Sequence, residues 1–295
     1  SGRRAPGRSW SRGLHQLVET REGCEPTAQT ETLAQITFQR FFPRYLKLCG
    51  VSGTLRESAG ELRGIYDLGV RQVPLRQADR RKLLSARIFA HAEAQWSAVV
   101  ARVCELNAQG RPVLVGTDSV LDSEALSRFL SAAALPHAVL NASQDRDEAR
   151  IVANAGASGA ITVATNMAGR GTDIVLSAAG RATGGLHVLC CQQNTARRID
   201  RQLVGRCARQ GDPGSAEYLV SLEGPLLAGS WIARILKIFS RGAEVRQAWL
   251  GMLALRLAQQ SLERRHRGER KAMMLQDRQV SDWLAFSGPD QTGGA

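Results

Sequence analysis

Short apolar runs alternate with amphipathic stretches through the central part of the chain. Continuous apolar runs bounded by turn residues are typical of buried strands, and apolar residues spaced three, four and seven apart indicate helices with one buried face. Strands and helices that alternate in this way predict an α/β fold with a parallel, doubly wound sheet. Strands are predicted at residues 112–116, 137–141, 160–164, 186–189 and 217–222. Helices are predicted at residues 85–107, at about 122–133 with Asp122 as the N-cap, at 145–155 and at 199–209.

The pattern changes on both sides of this central part. Residues 29–50 combine helical spacing with aromatic side chains, which at this spacing are more often core than a platform for stacking bases. Beyond Pro225, basic and apolar residues mix, and a long basic helix is predicted from about Glu244 to Trp283. An amphipathic basic helix could instead lie on anionic lipid.

Composition narrows the class of protein. The formal net charge of +12 favours polyanionic partners, namely nucleotide, nucleic acid or anionic lipid, without choosing among them. No apolar run reaches the roughly 18–20 residues that a membrane-spanning helix needs. The six cysteines include no Cys-x-x-Cys pair, so we expect thiols in a reducing compartment rather than a disulfide framework or a zinc site.

The strongest candidate chemistry lies in Gln202-x-x-Gly205-Arg206-x-x-Arg209-Gln210. Arg206 and Arg209 are three residues apart and would share one face of the predicted helix. Their guanidinium groups could clamp a polyphosphate or act as arginine fingers on a transferring phosphoryl group. Gly205 removes a side chain where a neighbour would collide. The helix is expected to end at Gly211, Pro213 and Gly214.

A second candidate loop follows the predicted strand at residues 160–164. It reads Thr165-Asn166-Met167-Ala168-Gly169-Arg170-Gly171-Thr172-Asp173. Glycines let backbone N–H groups approach an anion closely, and open α/β sheets bind nucleotides at strand ends. Asp173 could accept a hydrogen bond from a ribose hydroxyl or hold an arginine in place. Thr165, Gly169, Arg170 and Gly171 are therefore further candidate nucleotide contacts, together with Gly205 and Gln210.

These two stretches resemble motifs V and VI of superfamily 2 nucleic-acid helicases. In wording they are most similar to SecA, the ATPase family that drives preproteins through the bacterial Sec channel. "TNMAGRGTDI", "GGLHVL" and "RRIDRQLVGRCARQGDPGS" carry the resemblance, which covers roughly residues 1–225. Residues 191–196 depart from it, because a neutral segment stands where the family has Glu-Arg-His.

The resemblance implies ATP as the cofactor and gives roles to the candidate residues. Arg206 and Arg209, with Gln202, would form the catalytic set at the γ-phosphate, and Asp173 would contact the nucleotide. The family also implies preproteins and the Sec channel as partners. It implies a cytoplasmic protein that is peripheral on the inner face of the bacterial plasma membrane.

The same resemblance divides the chain. Residues 1–26 would end a preprotein cross-linking domain and 27–74 a first RecA-like motor domain, in which Ser52-Gly53-Thr54 matches motif III. Residues 70–81 would connect it to the second RecA-like motor domain at 75–225. A basic scaffold-like region at 226–287 and a disordered tail at 288–295 would follow.

The sequence contains no Gly-x-x-x-x-Gly-Lys-Ser/Thr loop to cradle the β- and γ-phosphates. That loop and the acidic strand that holds magnesium would belong to the first motor domain, supplied in cis or in trans. We therefore expect the chain alone to hydrolyse ATP poorly. Two other interpretations stay open: a superfamily 2 RNA or DNA helicase, which salt-sensitive binding of single-stranded RNA would reveal, and a non-catalytic module that binds a partner motor domain.

Overall fold

The computed structural model describes residues 10, 12–28, 36–140, 148–165, 172–238, 244–245 and 248–286, and only the backbone of residues 148 and 281–286. Gly169, Arg170, Gly171 and the tail at 288–295 lie outside these residues. The helices are α1 (Leu14–Arg21), α2 (Phe38–Phe41), α3 (Ala59–Tyr66), α4 (Ala92–Ala108), α5 (Val120–Ala132), α6 (Glu148–Asn154), α7 (Ala178–Ala182), α8 (Arg197–Val204), α9 (Trp231–Ile238) and α10 (Ala248–Phe286). Short 3₁₀ turns occupy Phe42–Arg44 and Arg56–Ser58.

A seven-stranded parallel sheet forms the centre of the molecule. Its strands are β1 (Arg81–Leu83), β2 (Arg87–Phe89), β3 (Val113–Thr117), β4 (Ala138–Leu140), β5 (Ile161–Thr165), β6 (Leu186–Cys190) and β7 (Gly214–Ser221). The order is β1-β7-β6-β3-β5-β4. Both β1 and β2 pair with the same strand, β7: β1 with residues 214–216 and β2 with residues 219–221. This confirms the predicted α/β class and the parallel, doubly wound sheet.

Helices cover both faces of the sheet, which is why its central strands read as continuous apolar runs. Every residue of β3, β5 and β6 is buried. On one face α4 and α5 bury Val99 and Leu126 against Val163. On the other face α8 buries Leu203 against Leu114. Each fully buried aliphatic side chain of this kind stabilises the fold by about 1.5–3 kcal/mol.

The long helix α10 contacts the segment that precedes the sheet. Near its C-terminal end the Asp277 carboxylate accepts hydrogen bonds from Thr37 Oγ1 at 2.6 Å and from Arg40 Nη1 at 3.2 Å. About two turns earlier, Arg270 forms a bidentate ion pair with Glu61 of α3 at 2.7 and 2.8 Å. These contacts hold the segment before the sheet against the helix that follows it.

Several local predictions were wrong at element ends. Residues 87–89 are strand β2 rather than the start of a helix, because Ile88 and Phe89 pair with β7 and are buried there. The N-cap of α5 is Ser119, whose hydroxyl accepts from the Asp122 N–H, so Asp122 lies inside the first turn. The connector predicted at 70–81 ends in strand β1.

The prediction that the aromatic side chains of residues 29–50 belong to a core is also wrong for those described. Phe38 is 74% exposed and Tyr45 is 55% exposed. Phe38, Phe41, Phe42 and Tyr45 contact one another, with ring centroids 5.5–6.5 Å apart. In the part of the chain that the structure describes, no buried cluster includes them.

A buried polar network joins β6 to β7 and α4. His187, which has no exposed surface, contacts Ser215 Oγ at 2.6 Å through Nδ1 and Glu217 Oε1 at 2.9 Å through Nε2. Arg102 Nε donates to the same Glu217 oxygen at 2.6 Å. Burial lowers the pKa of His187 despite that carboxylate. The neutral ring therefore donates from Nε2 to Glu217 and accepts from Ser215 at Nδ1.

Acidification below about pH 6.5, the usual pKa of histidine, is expected to destabilise the chain through His187. Because the folded-state pKa is the lower one, the unfolded chain takes up the proton first. Stability is then lost as the pH falls from 6.5 towards the folded pKa. The melting temperature of a His187→Gln variant should depend less on pH across this range than that of the unchanged chain. His91→Gln, at an exposed site, is the control; equal pH dependence in the His187 variant and the unchanged chain would refute this assignment.

Candidate functional site

A cleft of about 840 Å³ lies between two parts of the chain. One is the arginine loop, residues 205–213 between α8 and β7, and the other is residues 52–54 of the segment before the sheet. Sheet residues from β3, β4 and β5 form its floor. Six of the candidate residues named from the sequence line it: Thr165, Asp173, Gln202, Gly205, Arg206 and Arg209. The fold thus brings the two candidate motifs to one surface.

Arg206 and Arg209 follow the helix rather than lying on it, which corrects the predicted helix at 199–209. Helix α8 ends at Val204, and the Gly205 N–H closes its last turn on Arg201 O at 2.8 Å. The chain then takes left-handed conformations at Ala208 and Gln210, with φ of 55° and 52°.

The early end of α8 has a packing reason. Strand β7 already begins at Gly214, where an added Cβ would lie 2.7 Å from Ala208 N and 3.0 Å from Cys207 Cβ. Cys207 is itself buried in the core. The chain therefore has to turn back sooner than a longer helix would allow; Gly211 and Pro213 belong to the turn that follows, and Gly214 is the first residue of β7.

Asp173 holds Arg209 in a fixed orientation. Arg209 Nη1 donates to Asp173 Oδ1 at 2.6 Å, and Arg209 Nε donates to Gly205 O at 2.9 Å. Gln210 Nε2 donates to the second oxygen, Oδ2, at 3.2 Å. Two sides of the guanidinium fork are thus occupied, and within the described residues Nη2 has no hydrogen-bond acceptor. Of the two roles considered for Asp173, the structure shows the arginine-holding one.

Arg206 also contacts the loop after β5. Its Nη1 donates to Thr172 O at 3.0 Å, and it has a further interaction beyond this bond. Arg206 and Arg209 therefore reach the same loop by different routes, one through a backbone carbonyl and one through a carboxylate. Thr165, which ends β5, is 6% exposed and lines the same cleft.

Helix α8 contacts the opposite wall of the cleft directly. Gln202 Nε2 donates to Thr54 Oγ1 at 3.3 Å, and the Thr54 N–H donates to Ser52 Oγ at 3.3 Å. One residue earlier, Arg201 Nη2 donates to Glu57 Oε2 at 2.6 Å. A displacement of residues 52–57 would therefore pull on α8, the helix that carries Gln202, through these two bonds.

The sequence reasoning missed Asp200, which anchors α8 from behind. Its carboxylate accepts from Asn194 N at 2.9 Å, Asn194 Nδ2 at 2.7 Å and Gln259 Nε2 at 2.6 Å. Burial raises the pKa of Asp200, and the hydrogen bonds from Asn194 and Gln259 oppose that rise. A lone acid among Arg197, Arg198 and Arg201 was the available signal, but its partner Gln259 lies 59 residues away.

Among the described residues, the site provides guanidinium donors for an anion rather than a thiol nucleophile. The nearest thiol, Cys207, is buried, and desolvation raises its pKa. No group of His, Cys, Asp and Glu side chains within the described ranges could hold a metal ion. None of the helices described is long and apolar enough to cross a membrane.

Comparison with known families gives one consistent result. The family model described as the SecA P-loop domain matches residues 79–183 and 177–242, and that of the SecA DEAD-like domain matches residues 7–63. Together the P-loop matches cover more than half of the chain.

Curated relatives agree with this match. "Protein translocase subunit SecA 3" of Magnetococcus marinus is 47% identical over 298 residues, covering 98% of this chain and 44% of its own length. "Protein translocase subunit SecA 2" of Bordetella avium is 45% identical over 294 residues, with the same two coverages. The chain thus spans less than half the length of these relatives. Among solved structures, the E. coli DEAD-box protein SrmB covers 54% of this chain and 87% of its own at 19% identity and a TM-score of 0.39, a likeness too low to carry an argument.

Proposed function

The chain belongs to the SecA family, and from this membership we propose that it supplies the arginine-bearing half of the nucleotide cleft in an ATP-dependent protein translocase. In this proposal ATP binding and hydrolysis are coupled to the movement of preproteins through the Sec channel. The translocase would be cytoplasmic and peripheral on the inner face of the bacterial plasma membrane. The observation that carries the proposal is the shared cleft, in which Gln202, Arg206, Arg209 and Asp173 face residues 52–54.

The donors in the cleft suit a nucleotide triphosphate. Arg209 is held by Asp173 and Gly205 in an orientation that leaves Nη2 for a phosphate oxygen. A guanidinium fixed before binding loses little side-chain entropy and matches phosphate geometry. Bound ATP would supply the phosphoryl group whose transfer to water drives the cycle. Gly169, Arg170 and Gly171 would line the phosphate side with Thr165 and Gly205, and Gln210 would steady Asp173.

The magnesium site would lie in the first motor domain. Within the described residues the cleft offers the carboxylates of Asp79 and Asp173, and Asp173 is already bonded to Arg209 and Gln210. We therefore propose that this chain supplies Arg206 and Arg209. The first motor domain, in cis or in trans, would supply the phosphate loop and the metal ligands.

Coupling would run through the contacts across the cleft. Gln202 touches Thr54, and Arg201 pairs with Glu57, so closure of the cleft bears on α8 at two adjacent residues. On its far side α8 is fixed to α10 by the buried Asp200–Gln259 bond and by Arg197 and Glu263, whose Nη2 and Oε2 atoms lie 3.1 Å apart. Movement at the nucleotide would thereby reach the long helix.

The chain alone is expected to turn over little ATP, and mixing it with a first motor domain should restore turnover. The partner protein is the part of the Magnetococcus marinus relative that this chain does not match. We expect the mixture to elute as one species in size-exclusion chromatography and to release phosphate from ATP, whereas each component alone does not.

Three results would count against this proposal. Turnover by the rigorously purified chain alone, at a rate typical of motor ATPases, would show that the cleft is complete without a partner domain. A stable complex that gains no ATPase activity would favour the non-catalytic interpretation. Steeply salt-dependent binding of single-stranded RNA by the same samples would instead favour a helicase.

A further inference from the structure

A second cavity, of about 250 Å³, lies at the carboxyl ends of β6 and β7 and shares no lining residue with the nucleotide cleft. It is bounded by the N-terminal turns of α4 and α5, by residues 191–193 and by residues 220–226. Connections leave β3 and β6 towards opposite faces of the sheet, to α5 and α8 respectively. Crevices of this kind, outside strand ends where the connections diverge, are where open α/β sheets bind ligands.

The lining of this cavity is rich in hydrogen-bond acceptors and has an excess of negative charge. Among the described residues that line it, Asp122 and Glu223 are acidic and none is basic. Glu223 is ionised, because Lys237, the Ala92 N–H and His91 lower its pKa to about 2, and Lys237 Nζ, 2.8 Å from Oε1, balances its charge. The Asp122 carboxylate accepts only from neutral donors, Ser119 Oγ at 2.6 Å and Gln192 Nε2 at 2.7 Å. Its charge is thus balanced by no cationic side chain in the described part of the chain.

Two amide oxygens at this cavity are buried and lack a donor. Gln192 gives its Nε2 to Asp122, and Gln193 gives its Nε2 to Gln259 Oε1 at 3.1 Å. The Oε1 atoms of Gln192 and Gln193 then have no hydrogen-bond partner among the residues described. Leaving such an acceptor buried and unpaired is destabilising, so a donor supplied by a ligand would be favoured.

Exchanging the amide nitrogen and oxygen does not remove this deficit. Gln259 Nε2 donates to Asn194 O at 2.7 Å, which fixes Gln259 Oε1 as an acceptor and requires Gln193 to donate to it. Gln192 is fixed in the same way by the Asp122 carboxylate. Both unpaired groups are therefore acceptors, and they need a donor.

We infer that this cavity binds an organic cation, a primary ammonium or guanidinium group on a short apolar stem. The head group would donate to Asp122, and a rotation of the Gln192 and Gln193 side chains would bring their amide oxygens within its reach. Trp96, which lines the cavity, offers an aromatic surface of the kind that attracts cations, and Leu226 and Leu255 accommodate the stem. Three of the lining residues, Cys191, Gln192 and Gln193, belong to residues 191–196, the neutral segment in which the chain departs from its family's Glu-Arg-His pattern.

The test uses n-butylguanidinium and n-butylammonium as probes, with n-butanol as the neutral probe of similar shape. Titration calorimetry and the indole N–H resonance of Trp96, assigned with a Trp96→Phe variant, report binding. We expect both cations to bind and to shift that resonance, and n-butanol to do neither. Asp122→Asn keeps the shape and the acceptor for Ser119, and should weaken cation binding by about tenfold or more. Gln192→Met should weaken it as well, and Glu105→Gln, an exposed acid on α4, should not.

The source of the cation is resolved by a further arm of the titration. A blocked Gly-Gly-Arg-Gly-Gly peptide that binds more tightly than n-butylguanidinium would identify a polypeptide side chain as the ligand. A peptide that binds no better would identify a free amine or guanidine. The inference is overturned if n-butanol binds as well as the cations, if neither cation binds, or if Asp122→Asn leaves the affinity unchanged in a variant that melts like the parent chain.

Discussion

Arg209→Ala is expected to lower the kcat for ATP of the motor assembled from this chain and a first motor domain by about a thousandfold or more. Arginine fingers contribute that much to phosphoryl transfer because they stabilise charge that develops in the transition state. Arg209 is oriented for this role before nucleotide binds, because its guanidinium is hydrogen-bonded to Asp173 and to the Gly205 carbonyl. Phosphate release under saturating ATP is the measurement.

Two further substitutions separate the effect of the guanidinium geometry of Arg209 from the effect of positive charge alone. Arg209→Lys retains a positive charge but cannot bond Asp173, Gly205 and a phosphate oxygen at once, so we expect it to recover little of the lost turnover. Arg198→Ala removes a charge from an exposed position on the same helix that does not line the cleft, and should leave kcat close to that of the parent. If Arg198→Ala and Arg209→Ala slow the motor equally, general positive charge is responsible and the specific role of Arg209 is refuted.

The sheet could be predicted from the sequence because its strands are buried on both faces. A strand such as β5 must then be apolar throughout, and this run is followed by turn residues that mark its end. Strand β2 was misassigned because Ile88 fits a helical spacing with Ala92 and Trp96 equally well. Only its pairing with β7, more than a hundred residues later in the chain, decides the matter.

Features that depend on distant partners could not be predicted. The end of α8 is set by where β7 begins, and the anchoring of Asp200 depends on Gln259. The bond from Thr37 to Asp277 joins residues 240 positions apart. The sequence predicted that Asp173 and Arg209 line one cleft, but it left open whether Asp173 contacts a ribose hydroxyl or holds an arginine. The structure shows the ion pair with Arg209.

Gly185→Ala is expected to reduce the free energy of unfolding by roughly 3 kcal/mol, the larger of the two stability effects proposed for this chain. Gly185 has a φ of 73°, and a Cβ there would lie 1.8 Å from Pro213 O and 2.7 Å from Pro213 C. The left-handed backbone alone costs about 1–2 kcal/mol for alanine. The remainder comes from the collision, which is with backbone and cannot be relieved by rotating a side chain.

Gly159→Ala isolates the first contribution, because Gly159 has a φ of 70° while its nearest neighbour to a new Cβ is Asn107 Nδ2 at an ordinary 3.5 Å. It should cost only the conformational part, about 1–2 kcal/mol. Denaturant unfolding of the two variants measures the difference directly. The Gly185 collision also pushes on Pro213, the last residue of the arginine loop, so Gly185→Ala should slow the assembled motor even where it remains folded. Equal losses of stability in the two variants would show that the Pro213 backbone moves away from the new Cβ at little cost in free energy. The arginine loop would then be less firmly positioned than its contacts imply.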